Sequence, residues 1–120
     1  MFELIPGLPD NVLGVRAIGD VDDDDYEDVL VPEIEDRLSR HEKIRFLYVL
    51  GPEFEGFEAD AVWEDAKLGM RTFTSYERIA IVTDSALLGR SVKAFGWLMP
   101  GEVRVFAVAD LAAATTWIRD

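Results

Sequence analysis

Three aspartates near the start of the chain have the spacing with which a calcium-binding loop begins. Asp20, Asp22 and Asp24 alternate within an acidic run, and carboxylate oxygens are ligands that Ca²⁺ prefers. The EF-hand pattern also requires Gly at its sixth position and Glu at its twelfth, where this chain has Asp25 and Val31. We therefore interpret the run as solvated charge at the start of a helix, with a weak cation site as the alternative.

Acid–base or nucleophilic catalysis would have to be built from His41 or from the pair Asp84-Ser85. A catalytic histidine needs a nucleophile or an orienting carboxylate close to it in space. His41 lies in the polar turn 39–43, before a predicted strand. We expect it at the sheet edge opposite the usual ligand crevice. We expect Asp84 or Ser85 to cap the helix that follows, so a small hydrolase or isomerase is the least favoured function.

A nucleotide-binding motif is absent from the sequence. The loop Gly51–Phe57 follows a strand and precedes a helix, but it lacks the Gly-rich Lys-Ser/Thr spacing of a phosphate loop. Its Glu53 and Glu55 would repel phosphate. The net charge of −12 and the pI near 4.4 oppose a nucleic-acid backbone, which is bound by clustered Lys and Arg. We expect no nucleic-acid partner.

A regular alternation of strands and helices must position these residues. The predicted strands are 2–5 and 12–18, which form an antiparallel pair, followed by 44–51, 78–84 and 102–108; the predicted helices after the first are 59–70, 86–98 and 111–118. The runs 44–51 and 78–84 are continuously apolar, as in parallel strands buried on both faces. The strand 102–108 alternates more, which predicts a position nearer an edge.

The first helix follows the acidic run. Tyr26, Leu30, Ile34 and Leu38 recur at a spacing of four, which predicts one core-facing stripe. Carboxylates at its N-terminal end can cap free N–H groups and suit the helix dipole. Pro32 removes one backbone hydrogen bond, so we expect a bend there or a helix that begins fully at that point.

Length and composition are those of one globular domain spanning residues 1–120. The chain is 49% hydrophobic and 11% aromatic and has no cysteine, so we expect a buried core without disulfides and no Cys-based metal site. The apolar runs are far shorter than the roughly 18 residues of a membrane span. We expect a cytoplasmic protein with no cofactor or metal.

Several short motifs stand in a fixed order along nearly the whole chain. They are Asp25-Tyr26 and Pro32 in the first helix, WEDAKLG at 63–69, RIAIVTD at 78–84, EVRVF at 102–106 and the terminal Trp117-Ile118. Taken together they resemble the SpoIIAA-like family of small bacterial domains, which shares the STAS fold of anti-anti-sigma factors and sulfate-transporter tails.

The resemblance implies an α/β, STAS-like fold with a four- to five-stranded mixed sheet and helices mainly on one face. This arrangement is similar to the lipid-carrying CRAL-TRIO domains. The resemblance further implies a non-enzymatic domain that binds an apolar ligand or associates with membranes. Carried onto this chain, it gives six candidate ligand-binding positions: Phe54, Phe57, Trp63, Leu88, Phe95 and Met99.

One departure from the family pattern concerns regulation. Anti-anti-sigma factors place a phosphorylatable serine at the helix N-terminus after the strand equivalent to 44–51. This chain has PEFEG at 52–56 and no hydroxyl before Thr72. We therefore do not expect a phosphorylation switch at this position.

Two functions follow from these patterns. The first is binding of an apolar or amphipathic small molecule or lipid, with a membrane surface as a further partner, in a pocket that opens when the segment 86–99 moves. The alternative is a protein–protein interaction module that presents the acidic face Asp20–Asp28 or an exposed helix to a basic partner. Ordinary core packing with one exposed Trp97 would also explain the apolar segment. The oligomeric state stays open, with a dimer through Trp97 or an edge strand as one arrangement.

Overall fold

The chain folds as alternating strands and helices, which the computed structural model describes for residues 1–58, 67, 73–96 and 101–120. The strands in these ranges are β1 (Phe2–Leu4), β2 (Val12–Ala17), β3 (Gly19–Val21), β4 (Ile44–Leu50), β5 (Phe54–Phe57), β6 (Tyr76–Thr83) and β7 (Glu102–Phe106). The helices are α1 (Asp23–Asp25), α2 (Val31–Leu38), α3 (Ala86–Gly96) and α4 (Leu111–Arg119). The predicted helix 59–70 lies outside the described residues except for Lys67, which is helical.

Five of the strands form one mixed sheet in the order β1-β2-β4-β6-β7. β1 runs antiparallel to β2, with Phe2 opposite Ala17, and the remaining neighbours are parallel. The continuously apolar strands β4 and β6 occupy the interior of the sheet, and the alternating strand β7 lies at its edge. The predicted α/β fold with a four- to five-stranded mixed sheet is confirmed.

The order of the strands across the sheet determines on which face of the sheet the helices lie. β2, β4, β6 and β7 follow one another across the sheet in chain order, and right-handed crossovers then place the connecting helices on one face. Ile34 of α2 and Leu88 of α3 accordingly pack in one hydrophobic cluster with Tyr48 of β4. α4 is not a crossover, and its Ala114 and Ile118 pack on the opposite face. Helices mainly on one face are therefore confirmed for the described residues.

The first helical segment begins with a capping box. The Asp22 carboxylate accepts a hydrogen bond from the Asp25 N–H, and the Asp25 carboxylate accepts one from the Asp22 N–H, each at 3.0 Å. A wider π-type turn, Tyr26–Leu30, follows α1, and in it the Val31 N–H bonds to the Tyr26 carbonyl. α2 begins at Val31 with Pro32 in its first turn, and it continues directly from the π-type turn, because Leu30 is already helical. The helical segment as a whole therefore begins at Asp23, and the expectation of a helix that begins fully at Pro32 holds only for α2.

A second, two-stranded sheet was not predicted from the sequence. β3 and β5 pair in parallel, with Gly19 opposite Phe54 and Val21 opposite Phe57. The prediction that Phe54 and Phe57 lie on a loop is therefore wrong. Gly19 adopts φ 66°, a conformation that glycine tolerates without steric cost, and this lets the chain leave β2 and reach β5.

Candidate functional site

An open cleft lies where β4 and β6 end, which we call the carboxyl-end cleft. It has a volume of about 260 Å³ and is lined by Leu50, Gly51, Pro52, Phe54, Thr83, Asp84, Ser85 and Val108. Because parallel strands end at the same sheet edge, residues distant in the sequence meet there. The strand order does not reverse in this sheet, so the cleft is formed instead by the loop into β5 on one side and the segment after β7 on the other.

The polar side chains of the carboxyl-end cleft hold the backbone in place. The Thr83 hydroxyl accepts from the Ser85 N–H at 3.1 Å, and the Asp84 carboxylate accepts from the Val108 N–H at 3.0 Å. The Ser85 hydroxyl accepts from the Leu88 N–H at 3.3 Å and so caps α3, as predicted. These contacts give Asp84 and Ser85 a structural role, and they do not form a nucleophile–base pair.

Phe54 connects the carboxyl-end cleft to a series of aromatic rings in the core. Its ring centroid lies 4.9 Å from that of Phe57, which lies 6.5 Å from that of Tyr48. The Tyr48 hydroxyl is 3.2 Å from the buried Tyr26 hydroxyl, and Phe2 packs edge-on against both tyrosines. The inner wall of the cleft is therefore supported by rigid, interlocked rings that keep Phe54 in place.

A second depression runs between α3 and β7, which we call the α3–β7 groove. It has a volume of about 390 Å³ and is lined by Thr83, Asp84, Ser85, Ala86, Gly89, Arg90, Lys93, Val105, Phe106 and Ala107. Thr83, Asp84 and Ser85 line both depressions, so the groove continues from the cleft. Gly89 brings α3 close to the sheet, since a Cβ there would lie 3.6 Å from a methyl carbon of Val105.

The six predicted ligand-binding residues have different positions. Phe54 lines the carboxyl-end cleft, whereas Phe57 and Leu88 are half-buried against the adjoining core cluster. Phe95 lies on α3, and Trp63 and Met99 lie outside the described residues. Their role in binding stays a prediction.

Residues missed by sequence reasoning complete the lining of the carboxyl-end cleft. They are Leu50, Gly51, Pro52, Thr83 and Val108, together with Asp84 and Ser85, which were considered only for catalysis or capping. The signal that could have found them was their position directly after a predicted parallel strand. Two depressions flank the start of α3 among the described residues, and the expected pocket beneath the 86–99 segment stays a prediction.

His41 lies before β4, at the sheet edge opposite the carboxyl-end cleft, as predicted. Its Nε2 is 2.7 Å from a carboxylate oxygen of Asp10, and Arg40 bonds both oxygens of that carboxylate at 2.9 and 3.0 Å. The hydrogen bonds from Arg40 and then His41 hold the pKa of Asp10 well below its ordinary range. Among the described residues no hydroxyl is bonded to His41, so this exposed cluster ties the β1–β2 turn to the end of α2.

The acidic run forms a crowded helix start. Carboxylate oxygens of Asp22, Asp23 and Asp24 lie within 4.8 Å of one another, and repulsion from Asp23 and then Asp22 raises the pKa of Asp24. Asp20, the first residue of the predicted calcium spacing, lies on β3 instead. Because Asp22 is also used in the capping box, the arrangement fits helix capping.

Within the described part of the chain, none of the helices is both long enough and apolar enough to cross a membrane.

Comparison with known proteins agrees with this geometry. No curated protein matches the chain significantly. Among solved structures, the chain is similar to an uncharacterised protein of the DUF3478 family with a SpoIIAA-like fold from Shewanella loihica PV-4. The TM-score is 0.79 and the sequence identity is 27%, over 98% of this chain and 92% of the other. The SpoIIAA-like family model matches residues 12–119, and the chain therefore belongs to the SpoIIAA-like family.

Proposed function

We propose that this protein is a non-enzymatic binding domain that holds a small amphipathic molecule in the carboxyl-end cleft. One observation carries the proposal: the side chains of Leu50, Pro52, Phe54 and Val108 give the cleft apolar walls, while its polar side chains accept hydrogen bonds from the backbone. Such a surface favours an apolar group through the hydrophobic effect and offers no activated nucleophile. Membership of the SpoIIAA-like family supports the same reading, because these domains are generally not enzymes.

The size of the carboxyl-end cleft restricts the ligand. Its volume of about 260 Å³ is slightly below the range of roughly 300–1,000 Å³ typical of small-molecule sites. A medium-length alkyl chain fits this space better than a whole phospholipid. Displacement of α3 would enlarge the cleft. On that helix Leu88 packs half-buried against the core, whereas its neighbour Leu87 is 76% exposed. Leu87 would meet the bilayer surface when the ligand is taken from a membrane.

The first experiment is mass spectrometry of the purified protein under native and then denaturing conditions, to detect a co-purified ligand. A titration of the ligand-free protein with octanoate, decanoate and dodecanoate then follows the thermal midpoint and the Kd. A ligand bound only to the folded state raises the thermal midpoint. Each buried methylene contributes about 0.8 kcal/mol, and each step in this series adds two, so each step should tighten binding about fifteenfold until the cleft is full.

A pair of truncations locates the binding site. Phe54→Ala removes part of the cleft wall and should weaken decanoate binding. Leu4→Ala removes an apolar side chain that is 42% exposed on β1, across the sheet, and should leave binding unchanged. A clean ligand-free mass, together with no stabilisation by any chain length, would contradict the proposal and favour the protein-interaction module instead.

A further inference from the structure

We propose that the α3–β7 groove binds the anionic head group of the same ligand, so that the ligand is a negatively charged amphiphile such as a carboxylate or a phosphate ester. This inference rests on the proposed function, because it requires the apolar part of the ligand to occupy the carboxyl-end cleft. It adds the charge and the orientation of the ligand, which the apolar walls of the cleft do not specify.

The distribution of charge along the chain is the first argument. The protein has 24 acidic and 12 basic residues, yet the stretch from Ser85 to Gly101 contains no Asp or Glu. Its charged residues are Arg90 and Lys93, both on α3. A protein with this acidic excess thus presents a locally cationic helix next to the cleft. Screening limits the reach of distant charges to about 10 Å at ordinary salt, so the charges that matter most to a ligand are those of the lining itself, namely Arg90 and Lys93 with Asp84 opposing them.

Arg90 and Lys93 are also placed where both can reach one ligand. Arg90 and Lys93 are three residues apart on one helix, a spacing that places side chains on the same face, and both line the α3–β7 groove. Both are exposed, and neither has an ion-pair partner among the described residues. By contrast, Arg40 and Arg45 bond carboxylates of Asp10 and Glu77. Two cations in a groove that continues from an apolar cleft, without an ion-pair partner among the described residues, are suited to an anionic group.

The start of α3 provides additional support. Its first turn contains no acidic residue, so the partial positive charge of the helix N-terminus is not neutralised there. The Ser85 hydroxyl satisfies the Leu88 N–H, and Ala86 lines the groove. This backbone potential favours an anion in the groove beyond the junction, where the Asp84 carboxylate does not oppose it.

Asp84 is the charge that opposes an anion in this region, and it fixes the direction of the ligand. It lines both depressions, and its carboxylate accepts a hydrogen bond from the Val108 N–H. An anionic head group is therefore excluded from the junction and is driven along the groove towards Arg90 and Lys93. The alkyl chain has the opposite preference and stays among Leu50, Phe54 and Val108.

The test compares ligands of equal chain length and different charge. Decanoate, decyl phosphate, decanol and decyltrimethylammonium are titrated into the full chain, with Kd measured by calorimetry at low and high salt. The inference predicts that decanoate and decyl phosphate bind about tenfold or more tightly than decanol and that decyltrimethylammonium binds least. The two anions should lose affinity at high salt, whereas decanol should not.

A double substitution assigns the effect to the groove. The variant Arg90→Gln with Lys93→Gln should reduce decanoate affinity about tenfold and leave decanol affinity unchanged. A matched control, Lys43→Gln with Arg119→Gln, removes the same charge from exposed positions outside both depressions and should change neither affinity.

The outcomes separate the two proposals. Equal binding of decanol and the anions by the unmodified protein would overturn the head-group inference and leave the apolar cleft standing. An equal loss of decanoate and decanol affinity in the double variant would also overturn it. If none of the four ligands binds, both proposals fail.

Discussion

Two helical segments of this protein begin directly after a strand, and their N-termini are completed in opposite ways. At α1, the carboxylates of Asp22 and Asp25 bond each other's backbone N–H, and three aspartates occupy the first turn. At α3, Ser85 supplies a single cap to Leu88, and the first turn carries no acidic residue. The first helix start is completed by its own carboxylates, whereas at the second the preceding Asp84 carboxylate bonds the Val108 N–H and the first turn stays free of acidic residues.

The same contrast appears in packing. The first helical segment places Tyr26, Leu30 and Ile34 in the core, each 2% exposed or less. On α3, Leu88 is half-buried and Leu87 is 76% exposed. The first segment is therefore fixed by its packing in the core. α3 adjoins both depressions, which is where we propose that the ligand binds.

Truncation of the packing residue of each helix gives the largest expected effect. Ile34→Ala creates a cavity at a fully buried site and should lower the free energy of unfolding by about 2–5 kcal/mol. Leu88→Ala removes a half-buried side chain and should cost about 1–2 kcal/mol, because less area is buried. Urea unfolding followed by circular dichroism measures both. Equal losses would show that α3 is anchored as firmly as α2.

Removal of the helix N-caps Asp22 and Ser85 gives the second-largest expected loss of stability. Asp22→Ala should lower the free energy of unfolding by about 1 kcal/mol or slightly more, because it removes the charged carboxylate that accepts from the Asp25 N–H, while the bond from the backbone N–H of residue 22 to Asp25 remains. Ser85→Ala should cost about 0.5–1 kcal/mol, since the cap bond that it removes has a neutral acceptor and is longer, at 3.3 Å. Asp28→Ala, at an exposed position near the same acidic run, serves as the control and should be close to neutral. A costlier Ser85→Ala would reverse the comparison.

The smallest effect is the pH response of two neighbouring aspartates. Burial opposes ionisation of Asp25, but the Asp22 N–H and the terminal ammonium outweigh it and lower the pKa. Its stabilising contribution is therefore present above the ordinary Asp value of about 3.9 and is lost as pH falls through the lowered pKa. Repulsion from Asp23 raises the pKa of Asp24, so its ionised form destabilises the fold at neutral pH.

Two charge-removing variants distinguish the stabilising effect of the Asp25 charge from the destabilising effect of the Asp24 charge. Asp25→Asn should unfold at lower urea concentration than the unmodified protein at neutral pH, and Asp24→Asn at slightly higher concentration. Both differences should shrink in acid, where the native carboxyls become protonated. Shifts of the same sign at neutral pH would mean that net charge, rather than local hydrogen bonding, controls this helix start.

Most of the fold could be predicted from the sequence, because most of its strands and helices follow from the pattern of neighbouring residues. The apolar runs of β4 and β6 and the four-residue spacing of Tyr26, Leu30 and Ile34 identify elements without any knowledge of contacts. The β3–β5 pair could not be found this way. Its strands have three and four residues, too few to establish a period. The positive φ of Gly19 allows the chain to turn from β2 towards β5.

The candidate site could be predicted less well. Phe54, one of the six predicted ligand-binding residues, lines the carboxyl-end cleft, and the pair Asp84-Ser85 was predicted to cap a helix, as Ser85 does. Leu50, Pro52 and Val108, by contrast, have ordinary side chains whose importance depends on their being brought together at one sheet edge. The contact between Asp10 and His41 was missed for the same reason, because 31 positions separate the two residues in the chain.

The sequence by itself determined the fold class, the capping of the helices and the segregation of charge that leaves Ser85–Gly101 without an acidic residue. These properties depend on residue type and short spacing, which the chain carries before it folds. Only the tertiary structure decided that Arg90 and Lys93 border a groove continuous with an apolar cleft. That continuity depends on strand order and on the close approach of α3 to β7 at Gly89, which no local pattern encodes.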